Sequence, residues 1–162
     1  FPYTTLFRSL PSNEGDLISI HSLGHNGGYS GVPSDKIREN IRIGQIKQVA
    51  RIVEGLKAIP EGNGTMFDNT MIMYFPEGGE THHGFGLEAP FVILAGNNCN
   101  LDMTGRYFRL PYHATEGHKT IGNWYTTLLN AHGNPIKHYG DLDLEMSRKK
   151  LAQTGYIREF MA

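Results

Sequence analysis

Cysteine is almost missing from this chain. Cys99 stands alone in 162 residues, which excludes an internal disulfide and any zinc site built from several thiolates. Long apolar runs are missing as well. The longest, Ala89–Gly96, has the length of a strand and falls far short of the ~20 residues a membrane-spanning helix needs. Neither sign of charge is in excess: 15 Lys and Arg stand against 16 Asp and Glu. The basic residues are scattered, so no surface for a nucleic-acid backbone is indicated. No Gly-x-Ser-x-Gly elbow follows a strand, which argues against a Ser-His-Asp hydrolase. The glycine spacing and the missing lysine exclude a dinucleotide or phosphate-loop fingerprint. Cys99 has no histidine near it in sequence and sits in an Asn-rich turn, so a thiol nucleophile is not expected. Repeats, linkers and low-complexity stretches are absent too.

What remains is a globular composition, 39% apolar and 19% charged, long enough for one domain with a real core. It is rich in glycine (20) and histidine (8). The residues alternate between strand-like and helix-like periods. Asp16–His21, Asn69–Phe75 and Pro90–Ala95 read as buried strands. Between the first two, Ser34 is a suitable N-cap and Asp35 suits the first turn. Ile37, Ile41, Val49, Ile52, Val53, Leu56 and Ile59 then recur at helical spacing, and Pro60–Gly64 stops the helix. Residues 105–110 suggest a short edge strand, 118–131 a helix closed near Gly133, and 143–152 a last helix. Strand, long helix, strand is a crossover unit, so the expected fold class is α/β with parallel, right-handed pairing.

Two loops following those strands gather imidazoles and carboxylates between glycines: His21-Ser-Leu-Gly-His25-Asn-Gly27 and Pro76-Glu77-Gly-Gly-Glu80-Thr-His82-His83-Gly84. Loops at the carboxyl ends of strands are where open α/β sheets bind ligands, and histidine with carboxylate holds divalent metals. Each residue also has a plainer role open to it. His21 can be a core histidine at a strand end, His25 a turn residue, and Glu77 and Glu80 a solvated acidic turn. His82 and His83 face opposite ways in extended backbone, so at most one ligates; the other can reach substrate or support a ligand. His113 and His118, ahead of the helix at 118–131, either approach the same edge or merely cap and face solvent. His132 and His138 are expected at the surface. Asp141 and Asp143 lack the glycine and distal glutamate of a calcium loop.

Taken in order, these motifs resemble the C-terminal half of the alkaline phosphatase/sulfatase superfamily. In its cofactor-independent phosphoglycerate mutases an Asp-x-x-x-His motif followed by glycine holds one metal, and His21 to Gly27 is similar, with histidine for aspartate. Asn69-Thr-Met-Ile-Met-Tyr-Phe-Pro-Glu77-Gly78 occupies the place of the strand that ends in an Asp-His metal motif. His83 or His82 matches the further metal histidine before the strand Pro90–Gly96. The whole stretch from about Ile18 to Asp143 is most similar to an uncharacterised, exported bacterial family, a domain of unknown function related to that superfamily. Gly64-Thr-Met-Phe-Asp-Asn-Thr70, Leu94-Ala-Gly96, Gly105-Arg-Tyr107, Leu128-Leu129 with Gly133, and Tyr139-Gly-Asp141 carry the likeness.

The resemblance implies a partial alkaline-phosphatase-like three-layer sandwich, with a mostly parallel sheet and flanking helices. It implies a metal-dependent hydrolase of phosphate or sulfate esters acting on a small-molecule or glycan ester, with a periplasmic or other exported location. Zinc or manganese would be held by His25, His83, Glu77 and His21, while His82 and Glu80 would serve substrate or the ligands. The departures, histidine for aspartate at 21 and Glu77-Gly78 for an Asp-His pair, equally suit a non-catalytic exported binding or assembly protein that keeps the fold. Phe1–Ser9 resembles the in-frame translation of a sequencing adapter. The natural domain is therefore expected over 10–162, with its nucleophile and N-terminal half upstream. An unpaired sheet edge and a tendency to aggregate would follow.

Overall fold

A computed structural model describes residues 9–11, 17–19, 23, 28, 29, 31–75, 90–103 and 105–162. They group into two compact units divided after Gly55. In the first, β1 (Ser9–Pro11) pairs antiparallel with β2 (Leu17–Ser19), Leu10 opposite Ile18. Tyr29 and Val32 then exchange backbone hydrogen bonds of 3.0 and 2.9 Å across a turn in which Gly31 takes φ +79°. This turn leads into α1 (Ser34–Lys57). Asp35 in its first turn and Lys57 in its last complement the helix dipole. Half-buried positions recur at Ile37, Ile41, Gln45, Val49, Val53 and Leu56, the one-sided stripe of an amphipathic helix. The stripe does not absorb every apolar residue, since Ile43, Ile46 and Ile52 are exposed.

The second unit begins where α1 ends. A small hairpin, β3 (Pro60–Glu61) with β4 (Gly64–Thr65), turns through Gly62 at φ +58°. A single 3₁₀ turn, Met66–Asn69, follows and is capped reciprocally by Thr65 and Asp68. Then β5 (Met71–Tyr74) pairs antiparallel with β6 (Val92–Ala95), Ile72 opposite Leu94. Gly96 closes this sheet against the 3₁₀ turn. A β-carbon there would lie 2.0 Å from the Phe67 carbonyl oxygen and 2.5 Å from the Asp68 carbonyl carbon, so only glycine fits. Two short helices complete the unit: α2 (Ile121–Ala131) and α3 (Leu144–Arg148).

This architecture corrects the expected fold class. Every strand pair among the described residues is antiparallel, in three two-stranded sheets, and the three-layer sandwich with a mostly parallel sheet is not formed. The strands near 70–75 and 90–95 are neighbours in one sheet as expected, but antiparallel, and the described strand at 17–19 pairs with β1 instead. The physical reason lies between β5 and β6. A parallel return needs a crossover, usually a helix, and residues 76–89, rich in Gly and His, carry no helical period. A chain that reverses without a crossover pairs antiparallel. The edge strand expected at 105–110 is also not formed, and the last helix is only five residues long.

The core of the second unit is aromatic. Trp124, Ile157 and Phe160 are buried, with Met71, Met73, Phe91, Ile93 and Phe108 packed around them. Ring centroids lie 5.9 Å apart for Phe91–Trp124, 6.0 Å for Trp124–Phe160 and 4.7 Å for Phe108–Phe160, the edge-on and tilted arrangements aromatic rings prefer. The other face of α2 is polar and equally buried. Asn123 donates to the carbonyls of Gln153 and Gly155 at 2.7 and 2.8 Å. Thr127 accepts from the Ile157 amide at 2.8 Å, and Thr126 from the Tyr139 amide at 3.0 Å. These bonds tie the irregular C-terminal segment to the helix, where a strand ladder would otherwise be needed to satisfy its backbone.

Candidate functional site

The stretch 106–113, the N-terminal end of α2 and the helix α3 surround an open groove of about 1020 Å³. Each side contributes side chains for a reason legible in its local backbone. Gly117 at φ +80° and Ala114 at φ +57° turn the chain between His113 and His118, which brings the two imidazoles edge to face with centroids 5.4 Å apart. Thr120 begins α2 in a capping box with Asn123. Asp143 caps α3, accepting from the Met146 amide at 2.8 Å. Its own amide is held by Gln153 at 2.7 Å, so both ends of this residue are fixed.

The Asp143 carboxylate also meets His113, with Nε2 3.0 Å from Oδ2. A carboxylate only accepts, so Nε2 carries the hydrogen. Hydrogen bonding from the Met146 amide, then from His113, holds the Asp143 carboxyl below its ordinary range. On the other side of the same ring, Nδ1 lies 3.7 Å from Glu145 Oε2, and Glu145 is in turn paired with Lys149 at 3.2 Å. His113 is thus flanked by carboxylates at both nitrogens. His118 differs. Its Nδ1 donates to the Pro111 carbonyl at 2.8 Å, and Nε2 has no partner among the described residues.

Cations dominate the rest of the lining. Arg106, Arg109, Lys119 and Arg148 line the groove against the carboxylates of Asp143 and Glu145. Arg106 is neutralised by Asp102 and stacks on Phe108 at 4.5 Å. Arg109 meets no carboxylate among the described residues; it stacks over Tyr112 at 5.2 Å and hydrogen-bonds that residue's hydroxyl. Lys119 and Arg148 have no ion-pair partner among the described residues. Tyr107, 89% exposed, and Tyr112 add aromatic surface. The arrangement provides positive potential, pre-oriented imidazole and ring faces, which is a setting for an anionic group attached to a larger organic body.

His21, His25, Glu77, Glu80, His82 and His83, the residues singled out as metal ligands and substrate contacts, lie outside the described residues. Among the described residues no group of three or more His, Cys, Asp or Glu is placed to hold a metal ion, and no helix is long and apolar enough to cross a membrane. His132 is at the surface as expected, whereas His138 is half-buried, with both ring nitrogens buried and without a partner among the described residues. Its ring packs against Gly122, whose absent β-carbon leaves the room for it. Asp143 is a helix cap rather than part of a calcium loop. The His113–Asp143 contact spans thirty residues with no local pattern to announce it. The one sequence signal was an Asp immediately ahead of a short helical stretch. No protein-family model, no curated protein and no solved structure matches this chain.

Proposed function

We propose that this chain serves a hydrolase of phosphate or sulfate esters, and that the groove receives the anionic ester group. The observation that carries this reading is the excess of cationic side chains, Arg109, Lys119 and Arg148 without carboxylate partners among the described residues, around imidazoles oriented by fixed hydrogen bonds. Guanidinium and ammonium groups in a partly enclosed site stabilise the oxygens of a transferring phosphoryl or sulfuryl group. The sequence resemblance separately implies zinc or manganese, with His21, His25, Glu77 and His83 as its ligands and polarisation of an ester oxygen as its chemistry; the reading of the groove stands on the groove's own residues. Here His113 is a fixed part of the wall, donating from Nε2 to Asp143 and facing Glu145.

One observation favours a second reading, a binding or assembly protein without catalysis. The carboxylates on both sides of His113 occupy both of its ring nitrogens and leave neither to face a ligand. Turnover of 4-nitrophenyl phosphate and 4-nitrophenyl sulfate, with zinc or manganese supplied, separates the two. Release above the protein-free rate that R109Q and K119Q abolish supports the hydrolase. Saturable binding of these esters without release supports the binding protein instead.

A further inference from the structure

We infer that His118 is the imidazole that touches the bound anion, donating from Nε2 to an oxygen of a tetrahedral phosphate or sulfate group. The inference rests on the anion-binding reading of the groove and assigns within it the contact that reading leaves open. Two histidines line the groove, and their hydrogen bonds separate their roles. At His113 both ring nitrogens face carboxylates, Asp143 at 3.0 Å and Glu145 at 3.7 Å. An incoming anion would meet those carboxylates and be repelled. At His118 the Pro111 carbonyl, 2.8 Å from Nδ1, accepts one hydrogen bond and fixes the ring plane. The carbonyl selects the Nδ1–H tautomer of the neutral ring and leaves Nε2 available. On protonation the new N–H appears at Nε2, and no described carboxylate is bonded to it. The next residue, Lys119, lines the same groove and has no ion-pair partner among the described residues. The N-terminal end of α2 begins immediately afterwards, adding the positive end of a helix dipole to the same wall.

The test uses the full 162-residue chain, with inorganic phosphate, inorganic sulfate and methyl phosphate as probes. Affinities are measured by calorimetry at fixed low ionic strength and at a pH where histidine is substantially protonated. The substitutions exploit amide geometry. H118N places a nitrogen where Nδ1 was and keeps the bond to Pro111, but removes the Nε2 position. H118Q places a nitrogen near Nε2. Loss of one charge-assisted hydrogen bond predicts binding weakened about tenfold to a hundredfold in H118N, with H118Q closer to the unsubstituted chain. Imidazole ¹⁵N spectra of the unsubstituted chain should show His118 Nε2 moving with added phosphate. Binding to methyl phosphate comparable to that of inorganic phosphate marks the ester as an acceptable source of the anion; rejection of the monoester overturns the subsite as an ester-recognition element. If H118N binds phosphate as tightly as the unsubstituted chain, the assignment of His118 is overturned while the groove reading survives. If none of the three anions binds the unsubstituted chain, the groove reading itself falls. Should H118N fail to unfold cooperatively, the ¹⁵N spectra decide: an Nε2 resonance unmoved by saturating phosphate overturns the assignment, and a saturable shift upholds it.

Discussion

Replacing Asn123 by alanine should be among the most damaging single changes in the second unit. Asn123 is fully buried. Its amide nitrogen satisfies two carbonyls, Gln153 at 2.7 Å and Gly155 at 2.8 Å, and its oxygen accepts from the Thr120 amide at 2.8 Å. Alanine strands all three groups. A buried polar group left without a partner costs ~1–3 kcal/mol, and a lost cap about 1 kcal/mol. The losses share one side chain and do not simply add, so roughly 4 kcal/mol is expected, a large part of the ~5–15 kcal/mol that keeps a domain folded. Urea unfolding followed by Trp124 fluorescence reads this as a fall in midpoint with an unchanged slope. N123D separates the contributions. It keeps the acceptor for Thr120 but sets a second carboxylate oxygen, which only accepts, against two carbonyl oxygens, so at neutral pH it should be at least as destabilising as N123A. If N123A costs under ~1 kcal/mol, or N123D is as stable as the unsubstituted chain, the C-terminal segment is not held by α2 in this way.

Glycine substitutions should have opposite signs at two positions. G96A must part the 3₁₀ turn from β6, because its β-carbon meets backbone 2.0 Å away, and should cost about 3 kcal/mol or more in urea unfolding. G44A, in the interior of α1 with nothing within 4 Å of its β-carbon, should stabilise by ~0.5–1 kcal/mol. Stability should also depend on pH through Asp143, whose folded carboxyl is depressed first by the Met146 amide and then by His113. A depressed carboxyl stabilises the fold above its unfolded pKa of about 3.9 and loses that contribution as pH falls through the folded value. The difference in urea midpoint between the unsubstituted chain and D143N should therefore be largest near neutrality and shrink below about pH 4; a difference constant with pH would contradict the contact.

Local features were legible in the sequence where a local cause acts. The start of α1 at Ser34 and its end before Pro60 follow from capping and chain-breaking residues. β5 and β6 follow from apolar runs bounded by turn signals, and the body of α2 from helical spacing and Gly133. Pairing was not legible, because the same apolar strand suits a parallel or an antiparallel neighbour. The choice turned on residues 76–89, whose sequence carries no helical period from which a crossover could be built. The groove was invisible for a related reason. His113 reaches Asp143 across thirty residues, and only the turns at Ala114 and Gly117 set His113 against His118. His138 was misjudged because its burial depends on the space left by Gly122, sixteen residues earlier.

The most direct test of anion binding in the groove is an NMR titration of the unsubstituted chain with 4-nitrophenyl phosphate and 4-nitrophenyl sulfate. The exposed basic residues of α1, Arg42, Lys47 and Arg51, serve as internal controls. Saturable shifts concentrated at Arg109, His118, Lys119 and Arg148, with α1 unmoved, are the predicted result. Shifts of equal size along α1, rising linearly without saturation, would show that the anions meet only diffuse surface charge and would contradict it.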